Sequence, residues 1–390
     1  MTPAARYAAA IAVLDDVLAG ESAERTLTTW ARKNRFAGSK DRAAIRDHVY
    51  DALRGRRSLC ALGGDTSGRG AILGLLRREG IAPDTVFGAG GYGPAALTPQ
   101  EAAGGSEPDT DAARADLPDW LWPIWQDALG GDAMDVAQAM RHRAGVFLRV
   151  NLSRATLADA IDALAADDIV AVPVPDVKTA LKVIENERKV ASSDAFASGL
   201  VEVQDTASQI AIHRLQDVRA DRILDFCAGG GGKALALADL QDAAIFAHDI
   251  DAARTADIAP RAARAGVKIT TLRTAGLAQA VPFGLVLCDA PCSGSGTWRR
   301  APDAKWRLTR DQLDHYGELQ SGVLDQAQGL VAPGGVLAYA TCSVMTQEND
   351  DIVHDFLARR TEFSLVDRMQ LLPGPDHDGF YLAIMRKAQP

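Results

Sequence analysis

Residues 222–233 read RILDFCAGGGGK. An apolar strand over 222–227 runs into four glycines, Gly229 to Gly232, and a helix over 233–240 follows. Backbone that must turn sharply and approach a ligand closely needs glycine. A strand–turn–helix of this kind suits a nucleotide-like cofactor. Two further segments share the logic: VLCDAPCSGSG (286–296) and VLAYATCSV (336–344). Each places a cysteine just past an apolar strand, Cys292 and Cys342. Ligands of open α/β sheets sit beyond the carboxyl ends of the strands, so both thiols are candidates for chemistry. A metal site is not expected: CDAPC offers two cysteines, with no second pair or histidine spacing nearby.

Outward from this centre, strands at 244–248, 267–272, 284–288 and 335–340 alternate with helical patterns, and FYLAIMR (380–386) closes the series. That alternation predicts an α/β, Rossmann-like domain over 198–390, with a mostly parallel sheet covered on both faces. Asp205 is placed to cap a helix over 206–217. Residues 113–197 read as a small α/β, substrate-presenting module. It has strands at 146–151 and 169–174 and helices at 156–164 and 177–186, with Arg149 and Asn151 as its expected polar contacts to substrate. Trp120, Trp122 and Trp125 lie beside Leu121, Ile124 and Leu129, which favours a core or interdomain contact over a base-stacking platform. Residues 82–109 are dense in glycine and proline and read as a linker. Helical spacing over 6–18, 41–53 and 72–76 marks an N-terminal helical domain, taken with its linker as 1–112.

The chain of 390 residues carries a net charge of -9, which argues against nonspecific nucleic-acid binding by the whole surface. Cations nevertheless cluster. Residues 32–57 hold nine Lys/Arg against three Asp, and RRAPDAKWRLTR (299–310) holds five against one. A polyanion such as RNA can touch such patches while the rest stays acidic. Five cysteines in a long chain are not a disulfide framework, so a reducing, cytoplasmic setting is expected; the chain is also expected to be a monomer. No apolar run is long enough to span a membrane. Asp15 and Asp16 make the first apolar stretch an ordinary helix rather than a signal peptide.

The glycine turn is neither GxGxxG with a phosphate-handling pattern nor GxxxxGK[ST], because Ala234 follows Lys233. A nucleoside lacking a pyrophosphate fits better. Asp249 closes the next strand, where an acid accepts bonds from ribose hydroxyls. Together with the cysteine segments this favours S-adenosylmethionine. The candidate cofactor contacts are Cys227, Ala228, Gly229, Gly230, Gly231, Gly232, Lys233, Asp249, Arg254 and Asp289.

The segment LCDAPCSGSGTWRRAPDAKWR (287–307), with DFCAGGGGK (225–233), YATCSV (339–344), VQDTASQ (203–209) and DGFYLAIMRK (378–387), resembles the RNA cytosine-5 methyltransferases of the RsmB/Sun/Nop2 type. The resemblance covers 198–390. Members add a small α/β module, which fits 113–197, and some carry a helical RNA-binding domain similar to the antitermination factor NusB, which 1–80 resembles more loosely. The resemblance implies transfer of a methyl group from S-adenosylmethionine to carbon 5 of a cytosine in RNA, 16S ribosomal RNA above transfer RNA. It assigns Cys342 as the nucleophile at carbon 6, Cys292 as the residue that assists release, and Asp289 as a contact to the base edge. Lys233 would hold the aspartate network or favour the thiolate. Arg300 and Lys305 would contact the RNA backbone or serve local structure. A noncatalytic RNA-binding assembly factor is the reading from another class. Cys60, Cys227 and Cys288 read as packed thiols. The chain departs from the family twice. Gly229 and Gly230 stand where an alanine-proline is usual, and Thr274-Ala275 replaces a Gly-Asp whose acid contacts the adenine side of the cofactor.

Overall fold

The computed structural model describes residues 1–389. By internal packing they form two units: Met1–Arg143 with Trp298–Arg310, and Ala144–Thr297 with the chain from Asp311 onward.

The first unit is helical. Helices α1 (Pro3–Leu18), α2 (Ala23–Lys33), α3 (Ser39–Arg54), α4 (Arg56–Gly63) and α5 (Gly68–Arg78) bury Val13, Leu14, Leu27, Ile45, Val49, Leu53, Leu59, Ile72 and Leu76 in one core. Two of these helices, α2 and α4, lack a sequence signature. α2 buries only Ala23 and Leu27, too few apolar positions to show a period.

The segment 298–310 completes this unit, and its basic composition misleads. Trp298 stacks on Trp125 with ring centroids 5.6 Å apart. Trp306 Nε1 donates to the Leu53 carbonyl at 2.7 Å and Lys305 Nζ to the Arg54 carbonyl at 3.1 Å. Arg54 Nε in turn donates to the Arg299 carbonyl at 2.8 Å. Arg299 and Lys305 are buried, and burial draws the Lys305 ammonium down to about 8. Two of the five cations of the expected polyanion patch, Arg299 and Lys305, are therefore interior, and Lys305 serves local structure; Arg300, Arg307 and Arg310 stay exposed. Trp125 is also core, as its apolar neighbours foretold.

The second unit holds two sheets. Strands β1 (Val146–Val150), β2 (Val170–Pro173), β3 (Ala180–Glu185) and β4 (Val201–Val203) form an antiparallel sheet of order β2-β3-β1-β4. Residues 177–186, expected as a helix, contain strand β3. It pairs with β1 on one side and β2 on the other, and Leu181 and Val183 face the module's core. The module expected at 113–197 is thus divided by packing. Its part before Ala144 belongs with the first unit, while the helix over Leu157–Ala166 stays with the sheet, which extends past 197 to β4, the partner of β1.

Arg149 and Asn151 are not free to meet substrate. Arg149 Nη1 pairs with Asp239 Oδ2 at 3.0 Å, both side chains almost inaccessible. Asn151 Nδ2 donates to the Ala265 carbonyl at 2.8 Å. They fasten the small sheet to the helices of the larger one.

Strands β5 (Arg222–Asp225), β6 (Ala244–His248), β7 (Ile269–Leu272), β8 (Phe283–Asp289), β9 (Val331–Thr341), β10 (Phe363–Leu371) and β11 (Phe380–Lys387) form a seven-stranded sheet of order β10-β11-β9-β8-β5-β6-β7. The five strands from β9 to β7 are parallel, while β11 runs antiparallel to β9 and β10 antiparallel to β11. This is a Rossmann-like, doubly wound sheet, as the alternation of strands and helices predicted. The winding direction reverses between β5 and β8, so the segments leaving those two strands open a crevice at their carboxyl ends.

Candidate active site

β8 and β9 are parallel neighbours, with Asp289 opposite Ala340. Both chains therefore leave the sheet side by side. The Sγ atoms of Cys292 and Cys342 end 3.4 Å apart. Both residues are half-buried, and Cys227 and Cys288 are nowhere in this contact.

The two cysteine loops are held by a carboxylate that the sequence reading missed. Glu348 is fully buried. Its oxygens accept from Ser293 N at 2.7 Å, Gln320 Nε2 at 3.1 Å, and the hydroxyls of Ser293 and Ser343. Ser295 Oγ also meets Ser343 Oγ at 2.8 Å, and Gly296 N donates to the Cys342 carbonyl at 2.9 Å. A buried carboxylate with this many donors fixes the geometry of both loops. Nothing local in TQEND marks Glu348, because its partners come from three other segments.

Lys233, the first side chain after the glycines, donates to Asp289 Oδ2 at 2.6 Å. Burial pulls the ammonium down, but the Asp289 carboxylate more than offsets it and Lys233 stays charged. The thiols divide accordingly. The contact with Cys292 lowers the Cys342 thiol below the ordinary cysteine value; burial and the Asp289 charge oppose it, and Lys233 assists. The same contact, and then desolvation, push the Cys292 thiol well above. The two thiols are thus unequal, and the thiolate form is favoured more at Cys342 than at Cys292.

In the cofactor turn, Gly229 and Gly231 have φ of +49° and +79°, the left-handed region that favours glycine. A Cβ on Gly231 would lie 2.8 Å from Ile258 Cγ1. Gly229 N donates to Asp249 Oδ2 at 2.9 Å, Asp251 N donates to Asp249 Oδ1 at 3.0 Å, and Arg254 Nη1 pairs with Asp249 Oδ2 at 3.3 Å. Asp249 is so held at the rim of the turn. Cys227 and Ala228 occupy the link from β5 to the turn.

Asp225, the last residue of β5, is a second missed carboxylate. It is 1% exposed and neither oxygen has a well-formed hydrogen bond. Burial, then the charge of Asp289, push it up to about 7 against the pull of Lys233 and the Ala234 amide. Its signal in the sequence is an acid that ends an apolar strand just before the glycines. Among the described residues no group of three or more His, Cys, Asp or Glu is placed to hold a metal ion, and no helix is long and apolar enough to cross a membrane.

Residues 212–386 match the family model described as 16S rRNA methyltransferase RsmB/F, and 117–191 match the RsmF/B-like ferredoxin-like domain. The ribosomal RNA small subunit methyltransferase B of Vibrio cholerae is 34% identical over 292 residues, 71% of this chain and 67% of its own length. The chain belongs to the RsmB/F family of rRNA methyltransferases.

Solved structures share its fold. PH0851 superposes with a TM-score of 0.74 at 23% identity, covering 99% of both chains. A methyltransferase homologue from Pyrococcus horikoshii superposes with a TM-score of 0.62 at 24% identity, covering 71% of this chain and 97% of its own.

As an RsmB/F member the chain has a methyltransferase fold of the S-adenosylmethionine-dependent class, and its two departures acquire a physical reading. Where alanine-proline is usual, the space beside Gly229 and Gly230 is taken by arginines. Cβ atoms there would lie 3.2 Å from Arg254 Nη2 and 3.1 Å from Arg261 Nη1, and Arg261 Nη1 also bonds the Gly230 carbonyl. Side chains from the following helical segment brace the turn that a proline would otherwise stiffen. Where Gly-Asp is usual, Thr274 Oγ1 lies 3.0 Å from His248 Nε2, and His248 Nδ1 lies 2.8 Å from the Phe226 carbonyl. A carbonyl only accepts, so Nδ1 carries the proton and Thr274 donates to Nε2. Its hydroxyl is committed to holding the β6 end and is not an equivalent of the missing acid.

Proposed function

We propose that this RsmB/F-family chain methylates carbon 5 of a cytosine in small-subunit ribosomal RNA, with Cys342 as nucleophile and Cys292 as the residue that assists release. The observation that carries the reading is the pair of thiols 3.4 Å apart in unequal electrostatic surroundings. Carbon 5 of cytosine is a poor nucleophile. Addition of the Cys342 thiolate to carbon 6 forms a carbon–sulfur bond and shifts the ring's π electrons toward carbon 5. Asp289, fixed by Lys233, hydrogen-bonds the base edge and favours its protonated form. S-adenosylmethionine, when bound, supplies an electrophilic methyl group. Once carbon 5 has taken that methyl group, Cys292 assists transfer of the carbon-5 proton to a base such as solvent water, the C–H electron pair re-forms the 5,6 double bond, and the carbon–sulfur bond breaks to return the Cys342 thiolate.

The residues present fit that cofactor. Gly229–Gly232 form a cradle without side chains, Asp249 offers a carboxylate to ribose hydroxyls with Arg254 beside it, and Asp225 closes β5 with an enclosed carboxyl that lacks a good donor. RNA as the partner follows from the chemistry and from the relatives' name. A cytoplasmic monomer is part of the proposal.

The test is trapping. Cys292→Ala should accumulate a covalent RNA complex through Cys342, and Cys342→Ala should form none. Absence of a complex in Cys292→Ala, with cofactor binding intact, would reject the role assignment. Bisulfite mapping of RNA from cells lacking and regaining the protein identifies the cytosine; a site in transfer RNA alone would reject the ribosomal substrate.

A further inference from the structure

The turn between α2 and α3 is built to display one aromatic ring among cations. Asn34 closes α2, its backbone N and Nδ2 both donating to the Trp30 carbonyl at 2.9 Å. Ala37 N donates to the Asn34 carbonyl at 3.0 Å, which puts Arg35 and Phe36 at the two corner positions of a turn. Ala37 is buried, and Arg42 Nε clasps its carbonyl at 2.9 Å. Phe36 is thereby held outward at 74% exposure on an anchored backbone.

Its surroundings are one-signed. Arg32, Lys33, Arg35 and Lys40 are all exposed, and none has an ion pair or side-chain hydrogen bond among the described residues. The only acid from 32 to 42 is Asp41, turned inward and taken by Arg6 Nε at 2.8 Å. A single exposed phenylalanine is ordinary. One fixed at a turn tip between four uncompensated cations, on a chain of net charge -9, is not explained by solubility. Cations without carboxylate partners suit phosphates, and an open aromatic face suits a base. The base must be unpaired, because a double helix hides its faces in the stack.

We propose that this turn is an RNA-docking element: Phe36 stacks on an unpaired base while Arg32, Lys33, Arg35 and Lys40 hold the flanking phosphates. It deepens the reading above and rests on RNA being the partner.

The experiment uses the full chain and fluorescence anisotropy with a labelled single-stranded RNA oligonucleotide of mixed sequence and its duplex. Phe36→Ala should weaken single-strand binding about tenfold, and Phe36→Trp should restore it. Replacing the four cations with glutamine should flatten the salt dependence by roughly two to three units of log–log slope. Thermal melts should be unchanged, because every altered side chain is exposed. Equal binding by wild type and Phe36→Ala would overturn the proposal. So would Phe36-dependent capture by vesicles containing phosphatidylserine without any effect on RNA. Methylation of small-subunit ribosomal RNA by the same protein preparations separates the two readings. Phe36-dependent binding without cytosine methylation sinks the catalytic reading alone. Unaltered binding by Phe36→Ala, with methylation abolished by Cys342→Ala, sinks the docking element alone.

Discussion

Cys288 and Cys292 are four residues apart, and their surroundings differ in kind. Cys288 lies inside β8, wholly buried, and burial drives its thiol far up. Cys227, just past β5, is likewise pushed up by burial and then by the charges of Asp225 and Asp289. Such thiols behave as small hydrophobes. Cys292 and Cys342, beyond the strand ends, meet each other and sit near the Lys233–Asp289 pair. Cys227, although past β5, packs against the same cluster as Cys288, so it is for β8 and β9 that reactivity is set by which side of the strand end the sulfur falls on. Beyond that end there is a hydrogen-bond donor and a cation; before it there is only packing.

The largest effect should come from Cys342→Ser. A hydroxyl at that position stays protonated, so turnover should fall on the order of 10⁴-fold, with S-adenosylmethionine affinity unchanged. Methyl incorporation and cofactor titration measure the two separately. A loss under tenfold would erase the distinction between the two thiol pairs. Lys233→Met comes next, at about a hundredfold. Lys233 favours the thiolate, so without it the Cys342 thiol must titrate at higher pH and the ascending limb of the pH–rate profile should move upward. A uniform drop at every pH would mean that Lys233 acts only through structure.

Much of this site was legible because its signals are local. A glycine run after an apolar strand, a cysteine after the next strands, and an acid closing β6 need no knowledge of distant residues. What stayed hidden depends on partners far along the chain. The basic run at 299–307 reads as surface, yet Lys305 and Trp306 bond carbonyls 251 and 253 residues away. Residues 177–186 have spacing that serves a helix or a strand, and pairing on both sides decided for β3. β10 carries exposed Leu365 and Val366 and a register shift, so it shows no clean alternation. Asp225 and Glu348 matter because they are enclosed, which no local pattern reports.

Asp225→Asn sharpens the comparison from the inert side. An aspartate free in the unfolded chain titrates near 3.8, and burial in the fold raises it to about 7. Between those values the folded chain keeps a proton that the unfolded chain has released. Stability must therefore fall as pH rises through that window, by about 4 kcal/mol at the outside, with the cost complete above pH 7. Asparagine does not titrate. The variant should show a flatter stability profile from pH 4.5 to 8 and gain most at the alkaline end, measured by urea unfolding without cofactor. Its Cys227 should also label somewhat faster with a thiol reagent, since one suppressing charge is gone. Parallel profiles for the two proteins would show that Asp225 is not held protonated by its enclosure.

Cys288→Ala is the smallest change and the most direct control on the contrast between the thiols. The side chain packs in the cluster of Leu224, Val286, Leu337 and Tyr339, with no exposed surface. Alanine removes one sulfur and leaves a void smaller than the surrounding side chains can easily fill. About 1 kcal/mol of stability should be lost, by the transfer and cavity terms of a buried deletion. Turnover should stay within a factor of two or three, because β8 still delivers Asp289 and Cys292 in register with β9. The substitution separates packing from chemistry within a single strand. A Cys288→Ala protein that folds normally but loses methylation by tenfold would show that strand-interior packing tunes the reactive pair, and the boundary at the strand end would no longer describe where the chemistry begins.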